Sequence, residues 1–281
     1  MAKRFWTAAL LGCAALALAA CNASKNDSIS GTGSLDAAEQ ASETLLKTGG
    51  NGDDWGAIGY SYDEQRFSPL TDINDQNVGQ LSLAWSADLD DARGQEATPV
   101  VVDGVMYVTH AWSKVSAWDA ATGKPLWKFD PKVPGERAVS ACCDVVNRGV
   151  AVWGDKLFVG ALDGRLIALD KKTGKELWST QTFDTSKPYT ITGAPRVVKD
   201  MVLIGNGGAE FGVRGYVTAY DADTGKERWR FYTAPNPEKK KDGAASDDIF
   251  ASKGNATWSD AGEWQTSGGG GTVWDAIVYD K

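Results

Sequence analysis

Histidine is almost absent from this chain, since His110 is the only one among 281 residues. A single imidazole cannot supply a zinc site built from several histidines. It is more often a structural residue than the base of a Ser-His-Asp triad. No Cys-x-x-Cys-His sequence occurs, so the chain carries no c-type haem attachment site. With 29 basic against 37 acidic residues, a net charge of −8 also argues against a nucleic-acid surface.

Long apolar runs are missing too, except at the amino terminus. Lys3 and Arg4 precede an apolar stretch over residues 6–20, which is too short to span a membrane comfortably. Residues 1–20 are therefore interpreted as an export signal and left out of the fold. We expect the protein in the periplasm, where disulfides are permitted.

The export signal ends in a sequence that resembles the bacterial lipobox, Leu18-Ala19-Ala20-Cys21. In a lipobox the cysteine receives a lipid and becomes the mature amino terminus, so the protein would be anchored to a membrane. Ordinary cleavage beside Ala20, which leaves Cys21 as a free thiol, is the alternative.

Only four cysteines occur, and two of them, Cys142 and Cys143, are neighbours. A disulfide usually stabilises by restricting a long loop in the unfolded chain. A bond between adjacent residues restricts almost nothing, so such a bond needs another purpose. The pair can bond to each other or between molecules, or remain as buried thiols.

Internal repeats predict the fold. The motif Asp-x-x-Thr-Gly-Lys-x-x-Trp ends at residues 127, 178 and 229, a constant step of 51. Each copy follows two β-rich runs joined by a turn, such as Asp103-Gly104 or Gly154-Asp155, which indicates a hairpin. Its Thr-Gly-Lys reads as a tight turn in which Gly takes a positive φ. Four short antiparallel strands about every 50 residues are typical of a β-propeller blade, with Ala and Trp packing between blades.

The repeats do not close a ring. Three copies are complete, an earlier partial one lies around Leu81–Leu89, and another begins at GGGGTVWDAIVYDK. We therefore expect an all-β fold over residues 54–281, with three to four blades of a larger propeller of which this chain is the N-terminal half. Residues 21–53 are predicted to form a polar tether with a short helix near Leu35–Leu46. Residues 233–263 show no strand pattern and are predicted to be a loop at the entrance of the funnel.

Besides the repeats, six stretches that follow one another along the chain resemble those of a known protein family. They are RFSPLTDIN, EATPVVVDGVMYV, ACCDVVNRG, TGAPRV, GNGGAEFGVRGYVTAYD and GGGGTVWD. From about Trp55 to Lys281 the chain resembles the quinoprotein alcohol dehydrogenases. These are eight-bladed propellers that bind pyrroloquinoline quinone (PQQ). The last stretch is more similar to the ethanol-type than to the methanol-type enzymes.

The resemblance implies a cofactor site. In the family the adjacent cysteines form a disulfide that lies flat against one face of the quinone, and an indole covers the other face. Arg148 would bind a cofactor carboxylate through two parallel hydrogen bonds from its guanidinium, the fork of donors that lysine lacks. The residues implied to contact the cofactor are Glu96, Cys142, Cys143, Arg148, Thr192, Gly207, Gly208, Ala209, Thr272 and Trp274. Without the resemblance, Arg148 could equally form a surface salt bridge. Thr192 and Thr272 could be present only because threonine favours β-strands.

The resemblance also implies a metal site that this chain holds in part. Glu210 matches a glutamate that binds Ca²⁺, and a lanthanide is an alternative. The remaining asparagine ligand and the catalytic aspartate base are expected beyond Lys281, so the fragment would be inactive alone. The implied reaction oxidises a small primary alcohol by Ca²⁺-assisted hydride transfer to the quinone. Electrons then pass to a periplasmic cytochrome c or a quinone acceptor.

One alternative comes from another class of protein. A lipid-anchored propeller with such repeats also resembles the non-enzymatic lipoprotein scaffold that assists outer-membrane protein assembly. A scaffold leaves five features unexplained, which favours the enzyme: Glu96, the cysteine pair, Arg148, Glu210 and Trp274.

Overall fold

The structure, a computed structural model, describes residues 34–280. Within this range it contains three four-stranded antiparallel sheets, and in each one the strands follow one another in chain order. The first sheet is β1 Val100–Val102, β2 Val105–Thr109, β3 Val115–Asp119 and β4 Pro125–Phe129. The second is β5 Ala151–Trp153, β6 Lys156–Gly160, β7 Arg165–Asp170 and β8 Glu176–Gln181. The third is β9 Arg196–Val198, β10 Met201–Gly205, β11 Tyr216–Asp221 and β12 Glu227–Tyr232.

Each repeat in the sequence builds one sheet, which confirms the partial β-propeller. The alanine and tryptophan of a motif face each other across the third and fourth strands, as Ala168 does with Trp178, and a bulge follows the alanine. Each fourth strand begins two residues before its tryptophan rather than at it. The turn glycines have the predicted positive φ, for example +69° at Gly174.

The motif tryptophans join neighbouring blades. The indole nitrogen of Trp127 donates to the carbonyl oxygen of Lys171 at 3.2 Å. Its ring lies over Gly174, where a Cβ would come within 2.5 Å of the ring. The glycine is therefore required both by the turn and by the close approach of the indole. Two other pairs repeat this packing: Trp85 over Gly123, and Trp178 over Gly225.

The partial copies at the two ends do not form strands within the described residues. Residues 81–89 have no regular structure, although Trp85 donates to the carbonyl of Ala120 like its counterparts. Residues 271–280 also lack a strand, and Gly270 makes an isolated bridge with Arg214.

The hydrophobic core lies on the faces of the second sheet. The side chains of Leu157, Phe158, Ile167 and Leu169 have no exposed surface, because blades pack on both sides of this sheet. The outer strands β4, β8 and β12 contain only exposed and half-buried residues, and in β12 the last four residues are all half-buried.

Helix α1, Ala37–Thr48, confirms the predicted helix with a shift of two residues. Asp36 and Glu39 form a capping box, and Gly49 ends the helix at a φ of +76°. The helix packs on the second blade, since Trp153 donates to Glu39 at 3.2 Å. Residues 37–48 are thus part of the packed unit, which differs from a tether that reaches residue 53.

The segment without a strand pattern, residues 233–263, contains short helical turns. These are α2 Asp247–Ile249, a π-helical turn Phe250–Gly254 and α3 Asn255–Thr257, followed by α4 Trp264–Ser267. Four 3₁₀ turns complete the structure: Val78–Gln80, Ala111–Ser113, Gly135–Ser140 and Ala209–Phe211. No helix in residues 34–280 has the length and apolar character of a membrane span.

Candidate cofactor site

One cleft collects nearly all of the residues that the sequence singles out. It is formed by the chain after β4, the chain after β8, the β10–β11 loop and the segment beyond α4. It encloses about 560 Å³ of empty space, including its open mouth. Its lining includes Cys142, Cys143, Arg148, Thr192, Gly207, Gly208, Ala209, Glu210, Thr272 and Trp274. Of the predicted residues only Glu96 lies outside the lining.

Arg148 connects three of these residues. Its guanidinium donates to the Thr192 hydroxyl at 2.8 Å and lies 2.7 Å from a carboxylate oxygen of Glu96. Its Cζ is 4.9 Å from the centre of the Trp274 ring, a cation–π distance. Glu96 therefore belongs to the site through Arg148. Because a guanidinium has five N–H donors, Arg148 keeps donors for an anionic group in the cleft.

The two cysteine sulfurs lie side by side on one wall of the cleft, 2.6 Å apart. Both residues are exposed and are present as thiols, so the disulfide stays a prediction. A hydrogen bond to Cys143, and to a smaller extent one to Glu210, raises the pKa of the Cys142 thiol to about 12. These contacts place the sulfur pair beside the predicted metal ligand.

Glu210 lies on the 3₁₀ turn Ala209–Phe211, which follows Gly208. Gly208 has a φ of +103°, and a Cβ there would be 2.5 Å from the carbonyl oxygen of Pro188. Only glycine fits this turn, and it presents Glu210 at the cleft. The hydrogen bond from Cys142 holds the pKa of Glu210 below its usual value, so the carboxylate is ionised at neutral pH.

Glu210 cannot bind calcium without further ligands. Within residues 34–280, no group of three or more His, Cys, Asp or Glu side chains could hold a metal ion. Calcium takes six to eight oxygen ligands, and one carboxylate supplies two at most. The role of Glu210 as a metal ligand stays a prediction.

A glycine run positions Trp274. Residues 268–271 all have φ between +68° and +79°, a conformation that side chains other than glycine rarely adopt. The carbonyl of Gly270 accepts from the amide of Gly215 at 2.8 Å, which ties the run to the third blade. Gly193 lets the Trp274 carbonyl approach, because a Cβ there would be 2.6 Å from that oxygen. Trp274 is 48% exposed and lines the cleft.

Asp144 and Arg93 are functional candidates that the sequence reasoning missed. Asp144 follows the cysteine pair directly and lines the same cleft. Its carboxylate accepts from the Arg93 guanidinium and from the amides of Gly94 and Val145. These bonds, led by that of Arg93, hold the pKa of Asp144 far below its usual range. An aspartate next to the cysteines was the available signal.

Comparison with known proteins establishes the family. Residues 55–266 match the family described as "PQQ: Glucose/ethanol/alcohol dehydrogenase, beta-propeller domain". The chain belongs to this family. It is 60% identical over 243 residues to the dehydrogenase subunit of the quinone alcohol dehydrogenase of Gluconobacter oxydans, covering 84% of this chain and 32% of the relative. It is 52% identical to the quinohemoprotein alcohol dehydrogenase ADH IIB of Pseudomonas putida, covering 100% and 38%.

Solved structures agree. The quinohemoprotein alcohol dehydrogenase ADHIIG of Pseudomonas putida HK5 superposes with a TM-score of 0.77 at 54% identity, over 88% of this chain and 35% of that one. The enzyme of Comamonas testosteroni gives 0.79 at 48% identity, over 88% and 36%. A europium-containing methanol dehydrogenase gives 0.66 at 44% identity, over 70% and 34%. The chain spans about a third of the length of the relatives it matches.

The cleft suits a flat, anionic cofactor such as PQQ. An indole and a sulfur pair offer flat contact surfaces, and a guanidinium held by Glu96 and Thr192 offers donors to a carboxylate. Gly207 and Gly208 carry no side chains that would fill the cleft, and the Gly207 amide donates to the Thr190 carbonyl at 2.8 Å. These features fit the predicted roles, and direct contacts with the cofactor stay predictions.

Proposed function

We propose that this chain supplies the cofactor-binding part of a PQQ-dependent alcohol dehydrogenase that oxidises small primary alcohols to aldehydes. The observation that carries the proposal is the single cleft in which Arg148, Glu210, Trp274 and the cysteine pair meet. The relatives named as alcohol dehydrogenases support it. They do not favour a non-enzymatic scaffold, which would have no use for this set of residues.

Each residue contributes binding or orientation. PQQ, when bound, supplies the hydride-accepting chemistry, which no side chain of this protein can provide. Arg148 binds a cofactor carboxylate and is kept in place by Glu96 and Thr192. Trp274 and the cysteines enclose the flat faces and exclude water. Glu210 provides negative charge for a calcium ion or a lanthanide, together with ligands from outside the described residues.

The location and the electron acceptor are part of the proposal. Residues 1–20 read as an export signal, which supports a periplasmic protein, and Cys21 as a lipid attachment site; both lie outside the described residues. A cytochrome c acceptor is supported by the "1-butanol dehydrogenase (cytochrome c)" of Thauera butanivorans, which is 61% identical over 60% of this chain.

Dye-linked alcohol oxidation tests the proposal. The protein, produced from its complete coding sequence, would be loaded with PQQ and either Ca²⁺ or a lanthanide, then assayed with ethanol and 1-butanol. We expect turnover that needs both the cofactor and a metal ion and stops after chelation. A protein that binds PQQ and metal yet oxidises no primary alcohol would refute the proposed reaction. Turnover without added or bound PQQ would refute the cofactor.

A further inference from the structure

Two segments without regular structure meet beside the cleft. One is residues 91–96, which carry Glu96, and the other is residues 142–146, which carry the cysteine pair. A single carboxylate, that of Asp144, joins them. Arg93 donates to it through Nε at 3.2 Å and through a second, shorter bond from Nη2. The Gly94 amide donates to the same carboxylate at 3.1 Å.

The backbone at Asp144 needs this support. Asp144 has a φ of +74°, which is unusual for a residue with a side chain. Its own carboxylate accepts from the next amide, that of Val145, at 2.8 Å. Since strained backbone persists only where surrounding contacts hold it, the bonds from Arg93 and Gly94 fix the turn that aims the cysteines into the cleft.

The loop between β2 and β3 also contacts these two segments, through Trp112. The loop between β2 and β3 places the Trp112 ring 6.0 Å from the Arg93 guanidinium carbon. The Trp112 amide donates to the carbonyl of Val145 at 2.8 Å. Both sides of the Arg93–Asp144 pair are therefore fastened to the first blade.

We propose that Arg93 and Asp144 are positioning residues, which set the placement of the Cys142–Cys143 wall and, through Gly94 and Glu96, of Arg148. This inference rests on the proposed function, because the cysteine wall and Arg148 matter only if the cleft binds PQQ. Arg93 and Asp144 themselves need not touch the cofactor. An exposed ion pair ordinarily contributes little. In the Arg93–Asp144 pair two guanidinium nitrogens bind the carboxylate, and two backbone amides donate to the same carboxylate. The geometry of the pair is therefore fixed on both sides.

The test uses Arg93→Lys, which keeps the positive charge and removes the fork. Arg228→Lys is the matched control. Arg228 also binds a carboxylate, that of Asp221, through Nε and Nη2, and its side chain is 39% exposed against 49% for Arg93. It lies on β12, outside the residues that line the cleft. Asp144→Gly is the second variant, because glycine accepts the positive φ without strain while the carboxylate is lost.

The first readout does not depend on the cofactor. Cys142 and Cys143 are first reduced. Glutathione disulfide is then added, and the rate at which the Cys142–Cys143 disulfide forms (its closure rate) is measured. In the reaction the two protein thiols give up two protons and two electrons to form the protein disulfide, and glutathione disulfide becomes two glutathione thiols. Because closure depends on the placement of the sulfurs, we expect Arg93→Lys and Asp144→Gly to slow it about tenfold. Arg228→Lys should close at the wild-type rate.

The second readout is PQQ affinity, measured by quenching of tryptophan fluorescence. We expect about tenfold weaker binding in Arg93→Lys and Asp144→Gly and no change in Arg228→Lys. Closure rates and affinities equal to wild type in both variants, with only a lower melting temperature, would overturn the inference. Wild-type protein that binds no PQQ would refute the proposed function, while the closure rates would still decide the role of Arg93 and Asp144.

Discussion

Replacement of Gly174 by alanine tests how the blades are joined. Gly174 has a φ of +69°, and a Cβ there would come within 2.5 Å of the Trp127 ring. The substitution should therefore strain the turn and also push the indole away from the neighbouring blade. Gly104→Ala is the matched control, since Gly104 has a φ of +72° and no atom lies within 4 Å of its Cβ position.

The magnitudes differ in a way that can be measured. A left-handed alanine costs roughly 1–2 kcal/mol, and both variants bear this cost. Displacing Trp127 also breaks its 3.2 Å bond to the Lys171 carbonyl, worth about 1 kcal/mol. The loss of ring packing adds a further contribution of about 1 kcal/mol or more. We expect Gly174→Ala to lower the free energy of unfolding by about 3–5 kcal/mol in total.

Urea unfolding followed by far-ultraviolet circular dichroism gives the comparison. The same slope against urea in both variants would show that the same surface is exposed on unfolding. If Gly174→Ala and Gly104→Ala are destabilised equally, the indole does not contribute to the joint between blades, and this reasoning is wrong.

The remaining predictions concern the site and the anchor. Arg148→Lys should weaken PQQ binding about tenfold, because lysine lacks the fork, and a fluorescence titration that matches wild type would contradict this. Glu210→Gln should abolish metal-dependent alcohol oxidation, because an amide lacks the negative charge; full activity in this variant that still stops after chelation would mean that another residue binds the metal. Peptide mapping of exported protein should show Cys142 and Cys143 lighter by two hydrogens than after reduction, and alkylation of both without reductant would exclude the bond. Cys21→Ala should move the protein from the membrane to the soluble periplasmic fraction, and wild type already in that fraction would rule out a lipid.

The repeats made the blades predictable, because the residues that define them act locally. An Asp-x-x-Thr-Gly turn is held by its own residues, since the Asp119 carboxylate accepts from the amide and the hydroxyl of Thr122. The tryptophan that follows packs on the nearest turn of the next repeat. Strands of this kind can be placed by their spacing alone. A helix near Leu35–Leu46 was predicted, two residues before the observed one, but its packing on Trp153 was not, since nothing local shows which surface an amphipathic helix covers.

The site was only partly predictable. Glu96, Arg148 and Glu210 were found by resemblance, and the sequence could not show that Glu96 reaches the cleft by way of Arg148. Asp144 was missed because its importance lies in a long-range bond to Arg93. Contacts between distant segments leave no periodic pattern in a sequence.

The cleft is assembled from segments that are far apart in the chain: residues 142–148, 190–192, 207–210 and 272–274. In a repeat protein each unit otherwise holds only its neighbours, so a bound ligand acts as a cross-link between units. A ligand present at a hundred times its dissociation constant would add about 2.7 kcal/mol to the stability of the folded state. Loading with cofactor would then double as a maturation step. Molecules that have not received it would open more often and would be the first to be removed by proteases.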